Sequence, residues 1–294
     1  MKEQSYCIKI KDSFELKDIF ECGQCFRWNE ESDGSYTGVI TEGVLNVVKN
    51  NKEIVFTGVL KGDIKEICNK YFDLETDYSQ IKQELSKIDE YLKSSIEYGE
   101  GIRILHQDLW ECIISFIISA NNNIPRIKGI IERISKKYGK QLEWRKNTYF
   151  LFPTPEELKE ASVDDLRSLG LGFRDKRVYR TTQMIINKEI DLEKLKQSNN
   201  SLKIKEQLLT LDGVGEKVAD CIMLFSLKRF DVFPVDVWVR RVMNELYIKN
   251  EEEAKVKNEE IRKLAENKFH DLAGIAQQYL FYARRNSEKE NKVS

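Results

Sequence analysis

The sequence lacks the segments that mark membrane proteins and disulfide-stabilised secreted proteins. Its 294 residues begin Met1-Lys2-Glu3-Gln4, without the apolar core of a signal peptide, and the longest apolar-rich stretch, 113–120, is too short for a bilayer span. The six cysteines are scattered without a disulfide framework, at positions 7, 22, 25, 68, 112 and 221. We therefore expect a soluble intracellular protein of about one to two domains.

An excess of charge of one sign is also lacking, since 48 basic residues oppose 49 acidic ones and the formal net charge is −1. This balance excludes a histone-like protein or one with a polybasic tail. The charges are unevenly distributed, however. Residues 1–100 carry 13 basic and 20 acidic groups, whereas residues 101–294 carry 35 and 29. A polyanion is therefore expected to bind the second part of the chain, although ordinary solvated surface charge would give the same asymmetry.

Patterns for metal binding and thiol redox chemistry are scarce. Cys22-Gly-Gln-Cys25 has CxxC spacing, but a zinc site needs a second ligand pair and the sequence has none. A thioredoxin-like site needs a helix at this point, whereas Phe26-Arg27-Trp28 predicts a strand. Only His106 and His270 are available for catalysis by imidazole. We interpret the CxxC spacing as coincidental.

The hydrophobic period changes along the chain. Up to about residue 60, short β-type runs alternate with turns, which predicts an antiparallel meander with strands near 26–28, 36–40, 44–48 and 54–56. From about residue 78 the period is helical, and one stripe at i+3/i+4 spacing comprises Ile81, Leu85, Ile88, Leu92 and Ile96. We predict an α+β fold, with an N-terminal antiparallel sheet domain over 1–105 and an all-α domain over 106–294, whose polar tail frays from Asn286.

The sharpest motif is a glycine turn between two predicted helices, 204–210 and 216–227. Gly213 and Gly215 allow a tight turn, and the free amides of the helix that follows form a phosphate site. A dinucleotide-binding fingerprint would follow a strand and would have a glycine where Val218 stands. A helix–hairpin–helix over about 204–227, which grips a DNA backbone without reading its sequence, fits the pattern better. The simpler alternative is a turn between packed helices.

Two residues beside this hairpin carry chemistry of their own. Lys217 occupies the first turn of the second helix, where the macrodipole and partial burial disfavour an ammonium, so it is a candidate amine nucleophile. Cys221 is four residues on and shares its face. Asp236, in Phe233-Pro-Val-Asp236, places a carboxylate at the start of the next helix. Capping that helix is its simpler role.

The segment 211–221, LDGVGEKVADC, followed by the Pro-Val-Asp turn, resembles the helix–hairpin–helix (HhH-GPD) DNA glycosylases, specifically their 8-oxoguanine DNA glycosylase/AP lyase branch. Four further segments follow the order and spacing of that branch: 23–28, 121–126, 169–174 and 276–281. The resemblance covers about 20–285. It implies base excision repair of double-stranded DNA containing oxidised guanine. The rival interpretations are another glycosylase of the superfamily and a non-catalytic DNA-binding module.

The resemblance also implies a role for each matching residue. Lys217 would attack C1′ of the damaged nucleotide and form a Schiff base that undergoes β-elimination, while Asp236 would stabilise the oxocarbenium-like sugar. The base pocket would comprise Gly23, Cys221, Gln277 and Phe281. The opposite base and the wedge in the stack would involve Asn121, Arg126, Phe173 and Arg174. Phosphate would bind the backbone of Gly213, Gly215 and Val218, and a cation the carbonyls of Leu209, Leu211 and Val214. Helix core explains Cys221 and Phe281 equally well, and a helix-end cap explains Asn121.

The resemblance implies an enzyme without a required cofactor, acting as a monomer in the cytoplasm, or with the nucleoid in a prokaryote. An iron–sulfur cluster is not expected, because no cysteine follows Cys221. Three residues depart from the pattern. Trp238 stands where eukaryotic members have a phosphate-binding histidine, Phe173 replaces a tyrosine, and Cys25 replaces a common serine. These changes favour looser selectivity for the opposite base.

Overall fold

A computed structural model of the chain describes residues 2–10 and 13–293. Within these ranges the strands are β1 (Glu3–Lys9), β2 (Trp28–Glu30), β3 (Tyr36–Ile40), β4 (Gly43–Asn50), β5 (Glu53–Leu60), β6 (Gln141–Trp144) and β7 (Asn147–Phe150). The α-helices are α1 (Leu16–Glu21), α2 (Ile64–Tyr71), α3 (Tyr78–Ser86), α4 (Glu90–Tyr98), α5 (Leu109–Ser119), α6 (Ile124–Tyr138), α7 (Pro155–Leu158), α8 (Val163–Ser168), α9 (Asp175–Ile186), α10 (Leu192–Gln197), α11 (Ser201–Leu209), α12 (Glu216–Leu227), α13 (Val237–Met243), α14 (Asn258–Phe269) and α15 (Ala273–Val293).

The predicted N-terminal antiparallel sheet is confirmed, and it has five strands in the order β1-β5-β4-β3-β2. β1 was not predicted. It pairs along β5 with Tyr6 opposite Phe56, and its residues alternate between half-buried and exposed, as expected of an edge strand. The strand predicted from Phe26 begins only at Trp28, because the residues before it form the loop that leads from α1.

The helical part departs from the prediction in two places. The stripe predicted over 81–96 is divided between α3 and α4, because the Asp89 carboxylate accepts a hydrogen bond from the Leu92 N–H (2.9 Å) and begins a second helix. The hairpin β6–β7 interrupts the region predicted to be all-α. Its turn residues Arg145 and Lys146 have φ of +49° and +65°, and Trp144 joins Val39, Val44 and Val59 of the sheet in a small hydrophobic cluster.

The loop between α1 and β2 joins the two hydrophobic cores. The sheet core is built from β-strand residues with α1 and α2, and it includes Cys25 and Leu105. The helical core includes α3, α4 and the helices from α5 onward, and it takes in Cys22 and Phe26. Gly23 therefore lies where the sheet part meets the helical part. The domain boundary at 105/106 stays a prediction.

The predicted helix–hairpin–helix is present as α11, a turn containing Gly213, and α12. The tail predicted to fray from Asn286 is instead helical through Val293 in α15, and Ser294 lies outside the described residues. Within residues 2–10 and 13–293, no helix has both the length and the apolar character needed to cross a bilayer.

Candidate active site and nucleic-acid interface

The glycine turn leaves the start of α12 open to a ligand. Gly213 has φ +90°, and a β-carbon there would lie 2.9 Å from Cδ of Arg177, so this position requires glycine. A β-carbon on Gly215 would meet nothing within 4 Å. The first backbone hydrogen bond of α12 runs from the Ala219 N–H to the Gly215 carbonyl (2.9 Å). The amides before it, including that of Val218, belong to the group that a helix leaves without internal acceptors, and they can bind an anion.

Lys217 lies near an aromatic ring and a cysteine side chain. Its Nζ is 5.3 Å from the centroid of the Phe116 ring, and the side chain is half-buried. Cys221 lies one helical turn on, on the same face of α12, and the Lys217 side chain interacts electrostatically with its sulfur. Burial raises the pKa of the Cys221 thiol to about 11, although Lys217 opposes the shift. Cys221 is therefore a neutral thiol at neutral pH, and Lys217 remains the candidate nucleophile of this pair.

Asp236 caps α13, which is the simpler of the two roles that the sequence suggests for it. Its Oδ1 accepts a hydrogen bond from the Val239 N–H (2.8 Å), and the side chain is half-buried. Burial raises the pKa of Cys221 and lowers that of Arg285; the negative charge of Asp236 adds to the first shift and opposes the second. Lys217 and Asp236 thus both act electrostatically on Cys221, a small neutral side chain.

The residues predicted to hold the base come from distant parts of the chain. Gly23 has φ +89°, and a β-carbon there would lie 3.4 Å from Cε1 of Phe281 and 3.2 Å from Nη1 of Arg285. Gln277 is buried one turn before Phe281 on α15, and its Oε1 accepts a hydrogen bond from Nε2 of Gln278 (2.7 Å). The structure therefore brings Gly23 against Phe281. Arg285 was not among the predicted site residues, although its i+4 spacing from Phe281 places it on the same face.

Arg174 holds the loop that carries Asn121. Its guanidinium donates hydrogen bonds to the carbonyls of Ala120 (2.6 and 2.8 Å), Asn121 (2.6 Å) and Leu171 (3.2 Å), and only 2% of the residue is exposed. Asn121 itself is exposed with φ +50°. Burial lowers the pKa of Arg174, and the neighbouring Arg126 and Arg177 lower it further. In this arrangement the guanidinium positions the Asn121 loop at the end of α5, and contact with an opposite base stays a prediction.

The predicted wedge residue is an exposed ring among arginines. Phe173 is 55% exposed, and the guanidinium carbons of Arg174 and Arg177 lie 4.2 and 5.3 Å from its ring centroid. Arg126 is exposed and donates to the Gly170 carbonyl (3.4 Å). Arg177, which the sequence analysis missed, joins this cluster to the hairpin because it also contacts Gly213. An aromatic ring beside basic side chains suits a nucleic acid strand.

The remaining predicted positions lie in or near the hairpin. The Leu211 carbonyl accepts a hydrogen bond from the Val214 N–H (3.1 Å), so one of the three predicted cation ligands already has a partner. The cation site at Leu209, Leu211 and Val214 stays a prediction. Within the described part of the chain, no group of three or more His, Cys, Asp and Glu side chains could hold a metal. Trp238 is half-buried, with the Arg241 guanidinium 5.4 Å from its ring.

A second region, which we call the sheet–helix cleft, has a cavity of about 440 Å³. Its lining does not include Lys217 or Asp236. It comprises residues of the sheet part, of α5 and of the C-terminal end of α12, among them Arg27, Trp28, Glu42, Lys70, Glu111 and Ser226. Burial raises the pKa of Glu111 to about 7, against the opposing charge of Arg27. The cleft has the volume and the perturbed carboxyl often found in active sites, but it is separate from the hairpin.

Two family models divide the chain between them. A model described as the N-terminal domain of 8-oxoguanine DNA glycosylase matches residues 7–113, and a model of the HhH-GPD superfamily of base excision DNA repair proteins matches residues 114–277. The chain belongs to the 8-oxoguanine glycosylase branch of the HhH-GPD superfamily. The family inferred from the motif at 211–221 is thereby confirmed, and so is the fold class.

Relatives from several organisms align with nearly the whole of this HhH-GPD chain. A probable N-glycosylase/DNA lyase of Methanothermobacter thermautotrophicus is 30% identical, covering 93% of this chain and 94% of the relative. The apo structure of Clostridium acetobutylicum 8-oxoguanine glycosylase/lyase superposes with a TM-score of 0.89 at 45% identity, covering 96% of this chain and 98% of that one. The same Clostridium enzyme, in complex with double-stranded DNA containing cytosine opposite 8-oxoguanine, superposes with a TM-score of 0.90 at 44% identity over 96% and 98% of the two chains.

Proposed function

We propose that this protein is a bifunctional DNA glycosylase/AP lyase that removes 8-oxoguanine from double-stranded DNA and then nicks the strand. The observation that carries the proposal is the placement of Lys217 at the open N-terminus of α12, beside the neutral Cys221 thiol. A primary amine is the side chain that forms a Schiff base with a sugar aldehyde. The activity named for the Clostridium acetobutylicum relative supports the substrate.

The chemistry proceeds from the amine and the carboxylate. The Lys217 amine attacks C1′, the bond between C1′ and N9 of the base breaks, and the electron pair leaves with the base. The Asp236 carboxylate stabilises the positive charge that develops on the sugar. The C1′–O4′ bond then breaks while the nitrogen loses a proton and O4′ gains one, which gives an imine between Lys217 and C1′. Loss of a proton from C2′ forms a C2′–C3′ double bond and expels the 3′-phosphate, which breaks the C3′–O bond. No cofactor enters any of these steps.

The DNA contacts follow from the surface around the hairpin. The amides near Gly213, Gly215 and Val218 bind phosphate, and a cation at the carbonyls of Leu209, Leu211 and Val214 assists them. Phe173 enters the base stack, Asn121 occupies the space of the extruded nucleotide, and Arg126 and Arg174 contact the opposite base. The damaged base lies between Cys221 and Phe281, with Gln277 at its Watson–Crick edge and the Gly23 carbonyl at its N7 hydrogen.

The proposal extends to organisation and location. The 1–105 part supplies Gly23, and the 106–294 part supplies the amine, the carboxylate and the DNA grip. One copy carries every residue of the candidate site, which supports a monomer. We place the protein in the cytoplasm, or with the nucleoid in a prokaryote, where its DNA substrate is accessible.

Trapping of the imine tests the proposal. The protein is incubated with duplex containing 8-oxoguanine opposite cytosine, borohydride is added, and a covalent protein–DNA adduct is measured. Wild type should give the adduct, and Lys217→Gln should give none. Lys263→Gln, a change at an exposed lysine of α14, is the matched control and should behave as wild type. An absent adduct with wild type, or an undiminished adduct with Lys217→Gln, contradicts the proposal.

A further inference from the structure

Arg177 lies on the face of α9 that packs against the glycine hairpin. Thr181, one helical turn later, donates a hydrogen bond from Oγ1 to the Asp212 carbonyl (2.9 Å) and holds α9 against the hairpin turn. Cδ and Cβ of Arg177 lie 2.9 and 3.0 Å from the β-carbon position of Gly213. Phe173, the exposed ring, precedes Arg177 by four residues. Arg177 therefore lies between the hairpin and this ring.

The guanidinium of Arg177 is accessible and has no partner. Arg126 and Arg174, the other two arginines of the cluster, already donate hydrogen bonds to backbone carbonyls. Within residues 2–10 and 13–293, Arg177 has neither a hydrogen-bond acceptor nor an ion-pair partner, and none of its three nitrogens is buried. The carboxylate of Asp212 pairs instead with Arg180 (3.1 Å). Arg177 is thus free to bind a ligand without breaking a contact within the protein.

The arginine cluster lacks a counter-ion from the protein. Burial lowers the pKa of Arg174, and the positive charges of Arg126 and Arg177 lower it further. The neighbouring carboxylate of Asp175 pairs with Arg167 (2.8 Å) and not with the cluster. An anion would therefore relieve the repulsion among these like charges. A phosphate group suits a guanidinium well, because two parallel N–H groups can reach two of its oxygens.

We propose that Arg177 binds a backbone phosphate of the DNA where a strand passes between the hairpin and Phe173. The inference rests on the proposed function, which brings a duplex to this surface. The aliphatic part of Arg177 packs on Gly213, and its guanidinium carbon lies 5.3 Å from the Phe173 ring centroid, so the side chain is positioned before DNA binds. Less conformational entropy is then lost on binding. A phosphate contact does not read the bases, so Arg177 strengthens binding to damaged and undamaged duplex equally.

The salt dependence of DNA binding tests the inference. Fluorescence anisotropy measures the affinity for a duplex containing 8-oxoguanine opposite cytosine, and for the same duplex with guanine, at several salt concentrations. Arg177→Met keeps most of the aliphatic chain and removes the charge. It should weaken binding to both duplexes about 10-fold and reduce the slope of log affinity against log salt by about 1, the contribution of one phosphate contact. Arg177→Lys keeps the charge and should restore the wild-type slope.

A distant lysine provides the matched control for loss of one positive charge. Lys188 is exposed and follows the end of α9 by two residues. It lies about 16 Å along the helix from Arg177, beyond the Debye length of about 10 Å at 0.1 M salt. Lys188→Gln should therefore bind both duplexes with the wild-type affinity and slope.

The outcomes separate the phosphate contact from the other roles that Arg177 could have. An unchanged slope in Arg177→Met would show that the side chain only supports Phe173, and a loss confined to the damaged duplex would assign it to base recognition; either result overturns the inference. The binding assay requires no excision. A wild type that binds duplex but does not release 8-oxoguanine therefore contradicts the proposed function, while the slope still decides the role of Arg177. Thermal unfolding verifies the fold, and Arg177→Gln replaces Arg177→Met if the latter does not fold.

Discussion

The hairpin site and the sheet–helix cleft differ in what each offers a ligand. The cleft encloses about 440 Å³ and contains Glu111, whose pKa burial raises to about 7. The hairpin site consists of backbone amides, Lys217, Cys221 and Asp236 at the ends of two helices. A small metabolite needs an enclosed volume, whereas a duplex needs an accessible surface and a pocket for one base. Cavity volume and a perturbed carboxyl therefore favour the cleft, whereas the proposed function uses the hairpin site.

The two regions also differ in the distribution of their charges. The cleft mixes both signs, with Glu42 and Glu111 near Lys70. Arginines, in contrast, cluster around the exposed Phe173 beside the hairpin. A polyanion gains more from the second arrangement, because the first already neutralises itself. The near-zero net charge of the whole chain conceals this difference.

The largest expected effect comes from Asp236→Asn. Loss of the negative charge should slow base excision about 10²- to 10³-fold, a magnitude typical of removing one group that stabilises a transition state. Asparagine caps a helix as well as aspartate does, so the free energy of unfolding should change by less than about 0.5 kcal/mol. Single-turnover excision and urea unfolding measure the two quantities.

A carboxylate-to-amide substitution in the cleft is the control for Asp236→Asn. Glu111→Gln should excise 8-oxoguanine at the wild-type rate, because the cleft lining includes neither Lys217 nor Asp236. If Glu111→Gln is the slower variant and Asp236→Asn retains activity, the assignment of the two regions is reversed.

The sequence predicts the hairpin well because the signals there are local. Glycine at 213 determines the turn, the i+4 spacing places Lys217 and Cys221 on one face, and Asp236 begins a helix after a proline. Each of these depends on neighbours within a few residues. The family resemblance added the roles, which spacing alone did not provide.

The missed features depend on contacts between distant residues or on atypical turns. Arg285 meets Gly23 only because α15 packs against the loop after α1. The hydrogen bonds of Arg174 to the end of α5 join two separate segments. The β6–β7 hairpin escaped prediction because its turn uses Arg145 and Lys146 at positive φ, where glycine or asparagine is the usual signal.

An effect of intermediate size is expected from Glu111→Gln, in this case on the free energy of unfolding. The folded-state pKa of about 7 exceeds the value of about 4.3 in an unfolded chain. The carboxyl therefore contributes its full stability below about pH 4 and loses it as the pH rises through 7. Glu111→Gln should flatten this dependence and exceed wild type at pH 8 by about 1–3 kcal/mol in the free energy of unfolding.

Urea unfolding at several pH values measures this difference, and Glu260→Gln, at an exposed position of α14, is the matched control that should follow the wild-type profile. Parallel profiles for wild type and Glu111→Gln between pH 4.5 and 7 would show that the buried carboxyl does not determine the stability of the cleft. The hairpin site and the cleft would then be distinguished only by their effects on excision of 8-oxoguanine.

The smallest expected effect on function belongs to Phe173, the exposed ring beside the hairpin. Phe173→Ala removes a side chain that is 55% exposed and contacts two arginines, so unfolding should change by only about 0.5–1 kcal/mol. Binding of damaged duplex should weaken about 10-fold through lost stacking, and Phe173→Tyr should bind as wild type does. Fluorescence anisotropy with labelled duplex measures the affinity. If Phe173→Ala binds damaged duplex with wild-type affinity, this ring is not part of the DNA-contacting surface. Removal of an exposed aromatic side chain that contacts DNA should change the free energy of binding more than the free energy of unfolding.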